Sequence, residues 1–224
     1  MRVVAILGAA DSAVLRIARC LGEVTALAVS PDSTRLGRAA GAQQRVRIWD
    51  EALAALPPEG ADREAILATV LAAAARQLDA QLFVIGETAV GYLGSAVAEQ
   101  LNLAHLSQVV SAELVDGDSE SPQLRVARRC LHGVQRLRGP AAAVVCVLPV
   151  TADLAAPADA AGTEGEGLPA IDKTWNLASI GLVKAELPRP LVRAVVPAQR
   201  TQFTPRRFDS LDSLALRLRQ DGLG

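Results

Sequence analysis

The chain has 224 residues, half of them hydrophobic but only 3% aromatic, and a formal net charge of −1. That length supports a sizeable core built of Ala, Val and Leu, and the near-zero charge gives no global field to hold nucleic acid or an anionic membrane. Three scattered cysteines (Cys20, Cys130, Cys146) and two histidines (His105, His132) exclude a disulfide scaffold and argue against a metal site.

Residues 3–7 read as a first strand, too short for a signal h-region or a membrane span; the expectation is a cytoplasmic protein, not membrane-embedded. Gly8-Ala9-Ala10 form a small-residue turn, and Asp11 or Ser12 can cap a helix to about residue 21. Residues 24–29 read as strand two, 33–40 as a short helix stopped at Gly41, and 46–49 as a short strand ending at Trp49. The clearest helix is 61–78, with Asp62 near its start and Ile66, Leu67, Val70, Leu71, Ala74 and Leu78 on one broad face. Residues 81–85 are a short apolar run ending at Gly86; a turn and a helix through Leu93, Val97 and Leu101 follow, then a strand over 106–115. Such alternation predicts an α/β fold, a doubly wound, mostly parallel sheet with right-handed crossovers.

The pattern then changes. Asp116-Gly117-Asp118 is a turn signal between strands at 108–114 and 124–129, so the sheet gains an antiparallel edge, and 141–148 is fit for a buried strand. Arg125, Arg128, Arg129, Arg136 and Arg138 read as the solvated face of a hairpin. Residues 151–167 lack periodicity and read as a mobile loop. Residues 168–187 contain Trp175 and a weak helical pattern. Pro188, Pro190 and Pro197 punctuate an extended arm, and 210–220 read as a terminal helix with Leu211, Leu214 and Leu218 on one face and Gly222 at its C-cap. The expected organisation is an α/β domain over 1–150, a mobile linker with a recognition loop over 151–187, and a C-terminal arm and helix over 188–224. The arm is too poor in core to fold alone and is expected to pack on a partner subunit.

No catalytic constellation is visible: the chain has no G-x-S-x-G, G-x-G-x-x-G or P-loop. Two strand-to-helix turns are candidate phosphate cradles, Gly8, Ala9 and Ala10 in the first, and Gly86, Glu87, Thr88, Gly91, Gly94 and Ser95 in the second. Small residues let a backbone approach a ligand, and a helix N-terminus attracts anions; each also reads as an ordinary tight turn. Tyr92 is placed to stack on a base or to cover the helix start.

The segment over 82–115, with its strand, glycine turn, helix and small-polar strand, resembles the electron transfer flavoprotein family, in the domain shared by its two subunits. Pro197-Ala198-Gln199-Arg200-Thr201, followed by the terminal helix, is similar to the P-x-Q-R-T arm of the beta subunit. Ala178-Ser179-Ile180 ahead of Val183-Lys184-Ala185 resembles that subunit's partner-recognition loop. The resemblance implies the beta subunit of an alpha–beta heterodimer, an electron carrier and not an enzyme. It implies FAD, shared with and mainly held by the alpha subunit, and admits AMP in beta. Electrons would pass from a flavin dehydrogenase to a membrane quinone oxidoreductase, with docking at Ile180 and Leu182. The chain departs from the pattern in lacking N-P-F-D and the polar insertion D-D-D-C-N-Q-T-G; Gly86 reaches Gly94 by a shorter route, like the alpha subunit's first domain. The family's Leu-Pro-Asn is Ile180-Gly181 here. The alternatives are a stand-alone adenine-nucleotide-binding α/β protein, or a structural partner subunit without its own ligand.

Overall fold

The structure, a computed structural model, describes residues 1–8, 11–32, 34–37, 39, 41–56, 60–88, 91–116, 122–131, 133–148 and 171–188, all within Met1–Pro190. Strand β1 (Arg2–Leu7) leads through α1 (Asp11–Leu21) to β2 (Glu23–Val29), and through the single turn α2 (Thr34–Gly37) to β3 (Gln44–Ile48). Helix α3 (Ala61–Leu78) carries the chain back to β4 (Leu82–Gly86), and α4 (Leu93–Leu101) leads to β5 (Ala104–Val115). The strands β6 (Gln123–Cys130), β7 (Gly133–Pro140), β8 (Ala143–Val147) and β9 (Ile171–Trp175) follow.

The nine strands form one sheet in the order β7-β6-β5-β8-β4-β1-β2-β3-β9. From β5 to β9 every neighbouring pair is parallel; β6 and β7 add an antiparallel edge. The expected doubly wound sheet with an antiparallel edge is therefore the fold. Its central strands are near-continuous apolar runs because both faces are covered. Val4, Ile6, Phe83 and Ile85 point to the layer holding α3 and α4. Val3, Ala5, Leu7, Leu82 and Val84 point to the layer holding α1. The alanines of α3 (Ala68, Ala72, Ala74 and Ala75) are buried; without longer side chains the helix lies close on the sheet. Asp79 and Asn102, both left-handed, end α3 and α4, conformations that close a helix C-terminus.

Two expectations need correction, and one strand was not foreseen. The weak helical pattern over 168–187 is not a helix: Ile171–Trp175 is a strand, parallel to β3, followed by 3-10 turns at Ala178–Ile180 and Lys184–Glu186. Its pairing partner lies far back in the chain, so no local periodicity announces it. Strand β7, unforeseen, pairs along its whole length with β6. Helix α2 is a single turn, shorter than the stretch read for it. The loop over 151–167, the arm and the terminal helix lie outside the described residues. Among the described residues no helix is long and apolar enough to cross a membrane.

Candidate functional site

From β1 the chain winds outward to β2 and β3, then returns to β4 on the other side of β1. The winding direction reverses between β1 and β4, and the carboxyl ends of strands at such a switch point form the usual ligand crevice. Gly8 follows β1 and Glu87 follows β4, so the two candidate turns do flank this point. Ala9 and Ala10 lie outside the described residues.

Among the described residues, carboxylates of the chain stand beside both turns. At the start of α1, the Gly8 N–H donates to Asp11 Oδ1 at 2.7 Å. At the start of α4, the Tyr92 N–H donates to Glu64 Oε2 at 2.9 Å. Glu64 reaches there from the first turn of α3 and is only 5% exposed. A third carboxylate, Glu87, accepts from the Gln108 N–H at 2.6 Å. Gln108 stands at φ +57 in a bulge that shifts the register of β5 on β8, and the Glu87 contact holds that unusual backbone in place. Helix N-termini carry unsatisfied N–H groups and partial positive charge; here carboxylates accept from Gly8 and Tyr92, the residues that lead into α1 and α4. A phosphate brought to either turn would meet a carboxylate beside it.

The second turn is closed internally. The Gly91 N–H donates to both the carbonyl and the hydroxyl oxygen of Thr88, each at 3.1 Å. Gly91 has φ +72, a conformation glycine adopts at little cost. The Ser95 hydroxyl donates to the Tyr92 carbonyl at 2.8 Å, turned back on its own helix. Gly86 is the buried last residue of β4. Gly94 is the point of closest approach: a Cβ there would lie 2.0 Å from Cys146 Sγ and 3.4 Å from His105 Nε2. The close contact that Gly94 permits is thus with β8 of the same chain.

Cys146 Sγ and His105 Nε2 stand 3.3 Å apart across β8 and β5, and the tautomer decides which one donates. Burial, reinforced by the nearby Glu87 charge, pushes the Cys146 thiol up to about 12. Burial also lowers the His105 ring below its ordinary value, with Glu87 opposing. Desolvation thus keeps both groups neutral near pH 7, which makes Cys146 a packing residue and a poor nucleophile.

The docking residues need a different description. Ile180, expected to dock a partner, is 4% exposed and part of the core under α3; Leu182 packs partly buried against that core. Asp50 fastens this turn: Oδ1 accepts from the Ala52 N–H at 3.0 Å and Oδ2 from the Leu177 N–H at 3.3 Å. Val183 is the exposed apolar residue of the segment. Glu64, Asp50 and the His105–Cys146 pair escaped the sequence reading. Only Glu64 left a trace: it shares a helical face with Ala68, Leu71 and Ala75 (i+4, i+7, i+11), so its spacing alone placed a carboxylate on the buried side of α3.

Comparison with curated proteins finds no match. Residues 2–172 match the family model described as the electron transfer flavoprotein domain, and the chain belongs to that family.

Proposed function

We propose that this electron transfer flavoprotein family member is the beta-type subunit of a two-subunit electron carrier that holds no adenine nucleotide of its own. The family match over residues 2–172 supports electron transport in a flavoprotein. The beta assignment rests on the resemblance of the Pro197–Thr201 motif, and of the sequence that follows it, to the beta arm. The observation that carries the ligand reading is the pair of carboxylates, Asp11 and Glu64, at the N-termini of α1 and α4.

In this reading FAD is held by the alpha-type partner, whose own groups bind its phosphates. This chain would supply a rigid wall beside it and take no part in bond chemistry. A flavin dehydrogenase would feed the complex and a membrane quinone oxidoreductase would drain it. The test is co-expression with the alpha-type subunit: a yellow complex that accepts electrons from its dehydrogenase supports the reading. A colourless monomer that binds AMP on its own would overturn it.

The turn holding Ile180 and Leu182 is proposed as the docking element, with Val183 as its exposed apolar contact and Ile180 as the buried support. Val183→Ser should then slow electron transfer from the dehydrogenase without loss of flavin. Unchanged transfer would remove this turn from docking.

A further inference from the structure

The hairpin of β6 and β7 carries its charge and its exposed apolar residues in an order that the carrier function above leaves unused. Cys130 pairs with Gly133 in the last rung of the ladder. Leu131, in the tight turn between them, is 92% exposed. Turns this short favour Asn, Asp and Gly, so nothing in the turn itself calls for a leucine. Val134, at the start of β7, is 63% exposed. The hairpin therefore ends in an apolar tip.

Arginines stand behind that tip on both faces. Along β6, Leu124 and Val126 are buried on one face, so Arg125, Ala127 and Arg129 share the other. The register sets Arg129 beside Val134, Ala127 beside Arg136, and Arg125 beside Arg138. Arg128 lies on the inward face, its Nε donating to Gln135 Oε1 at 2.9 Å. The acidic partner on the outward face, Glu113, pairs with Arg125 at 2.9 Å, in the rung of these that lies farthest from the tip. Arg129 and Arg136, the outward guanidiniums nearest the tip, have no ion pair or hydrogen-bond partner among the described residues. Arg125 stands directly opposite Arg138, and like charges so placed cost the isolated sheet stability.

This order matches a lipid surface. A protein contact surrounds an apolar centre with a polar rim; here the apolar residues stand at one end and the cations behind them, a gradient along the hairpin axis. A bilayer carries the same gradient, hydrocarbon beneath charged headgroups. Successive rungs on one face lie about 7 Å apart, and the headgroup region of one leaflet is about 5–7 Å deep. With Leu131 at the acyl boundary, Arg128 and Arg129 would stand among the headgroups and Arg136 at their outer edge. Arginine suits that depth, because its stem covers apolar surface while the guanidinium pairs with phosphate. Strands β5, β6 and β7 hold no lysine and no aromatic side chain to stack on a base, which argues against a nucleic acid. The chain as a whole is near neutral, so the attraction is local and acts within a Debye length of the surface.

We propose that the β6–β7 hairpin is a peripheral contact with an anionic lipid surface, Leu131 entering the acyl boundary while Arg128, Arg129 and Arg136 pair with lipid phosphate. Such a contact goes beyond the carrier reading and does not depend on it. The experiment uses the full-length chain, with any subunit that co-purifies, and measures co-sedimentation with vesicles. One set is phosphatidylcholine alone; the other is phosphatidylcholine and phosphatidylglycerol in equal parts. Partition onto the anionic vesicles should exceed that onto the neutral ones by about 10-fold or more. It should fall as salt rises from about 50 to about 500 mM, because exposed charges are screened. Arg129→Glu/Arg136→Glu should weaken it by about 30-fold or more, since each guanidinium near an anionic surface contributes about fivefold. Leu131→Ser should weaken it by about 10-fold or more. Arg129→Lys/Arg136→Lys should retain most of it, because the lipid field acts on charge. The variants lie on a solvent face, and unchanged circular dichroism would show them folded. Absence of binding to anionic vesicles at low salt would overturn the proposal, as would full binding by the charge-reversed or the Leu131→Ser chain. Loss of a co-purifying subunit from the charge-reversed chain would make the face a protein contact and overturn it. Binding of single-stranded DNA with the vesicles left bare would overturn it as well.

Discussion

Gly94→Ala is the sharpest probe of how the crevice is built. The added methyl would lie 2.0 Å from Cys146 Sγ, against the roughly 3.5–4.0 Å that non-bonded heavy atoms prefer. Either the sulfur must turn away or α4 must move off β8. The β8 backbone cannot withdraw, because it is hydrogen-bonded to β4 on one side and β5 on the other, so relief must come from turning the buried sulfur into its packed surroundings or from moving α4. Overpacking of this kind costs about 1–3 kcal/mol. Replacing glycine in a helix gains at most about 1 kcal/mol, and less in a first turn. A net loss of about 1–2 kcal/mol is expected by chemical denaturation. Cys146→Ala alone should cost about 1 kcal/mol for the vacated space. The double variant should be more stable than the sum of the two losses predicts, by about 1 kcal/mol or more. Strict additivity would refute the claim that Gly94 exists to admit the sulfur.

The other predictions concern the carboxylates and the thiols. Glu64→Ala removes the acceptor of the half-exposed Tyr92 N–H and should cost about 1 kcal/mol; Glu64→Gln should recover most of it, the remainder reporting charge at the α4 N-terminus. With iodoacetamide near pH 8, the exposed Cys20 and Cys130 should react readily and Cys146 should resist; mass spectrometry of the labelled peptides decides. The Cys146 thiol also links stability to pH. Folded, it keeps its proton to about 12, against an ordinary value of 9.0. In that window the unfolded chain binds fewer protons, so this contribution is whole below pH 9 and is lost as pH rises through about 12. Cys146→Ala should therefore flatten the alkaline fall in stability. Asp50→Ala frees two N–H groups, at Ala52 and Leu177; it should cost about 1–2 kcal/mol and speed hydrogen exchange over residues 177–182.

Much of this fold was legible because its elements carry local periodicity. The run from β1 to β5 alternates apolar stretches with helical spacing, and the sheet follows from that alternation. Strand β9 was not legible: Ile171–Trp175 contains three polar residues and becomes a strand only by pairing with β3. Strand β7 was hidden for a related reason, since its outward face holds Val134, Arg136 and Arg138 and only Leu137 marks the inward side. At the crevice, glycine positions were readable but their purpose was not. Gly94 looks the same in a sequence whether it admits a phosphate or a cysteine sulfur. Deciding between these requires Cys146, which lies on a different strand. Ile180 illustrates the converse: a lone apolar residue in a polar loop reads as an exposed anchor until the loop is seen folded under α3.

The carboxylates at the two helix starts lead to one direct measurement. The complex of this chain with its alpha-type partner is denatured and the released nucleotides are separated and quantified. One FAD per complex and no AMP is the expected result. Stoichiometric AMP alongside the FAD would contradict the account, because it would bring a phosphate against Asp11 or Glu64.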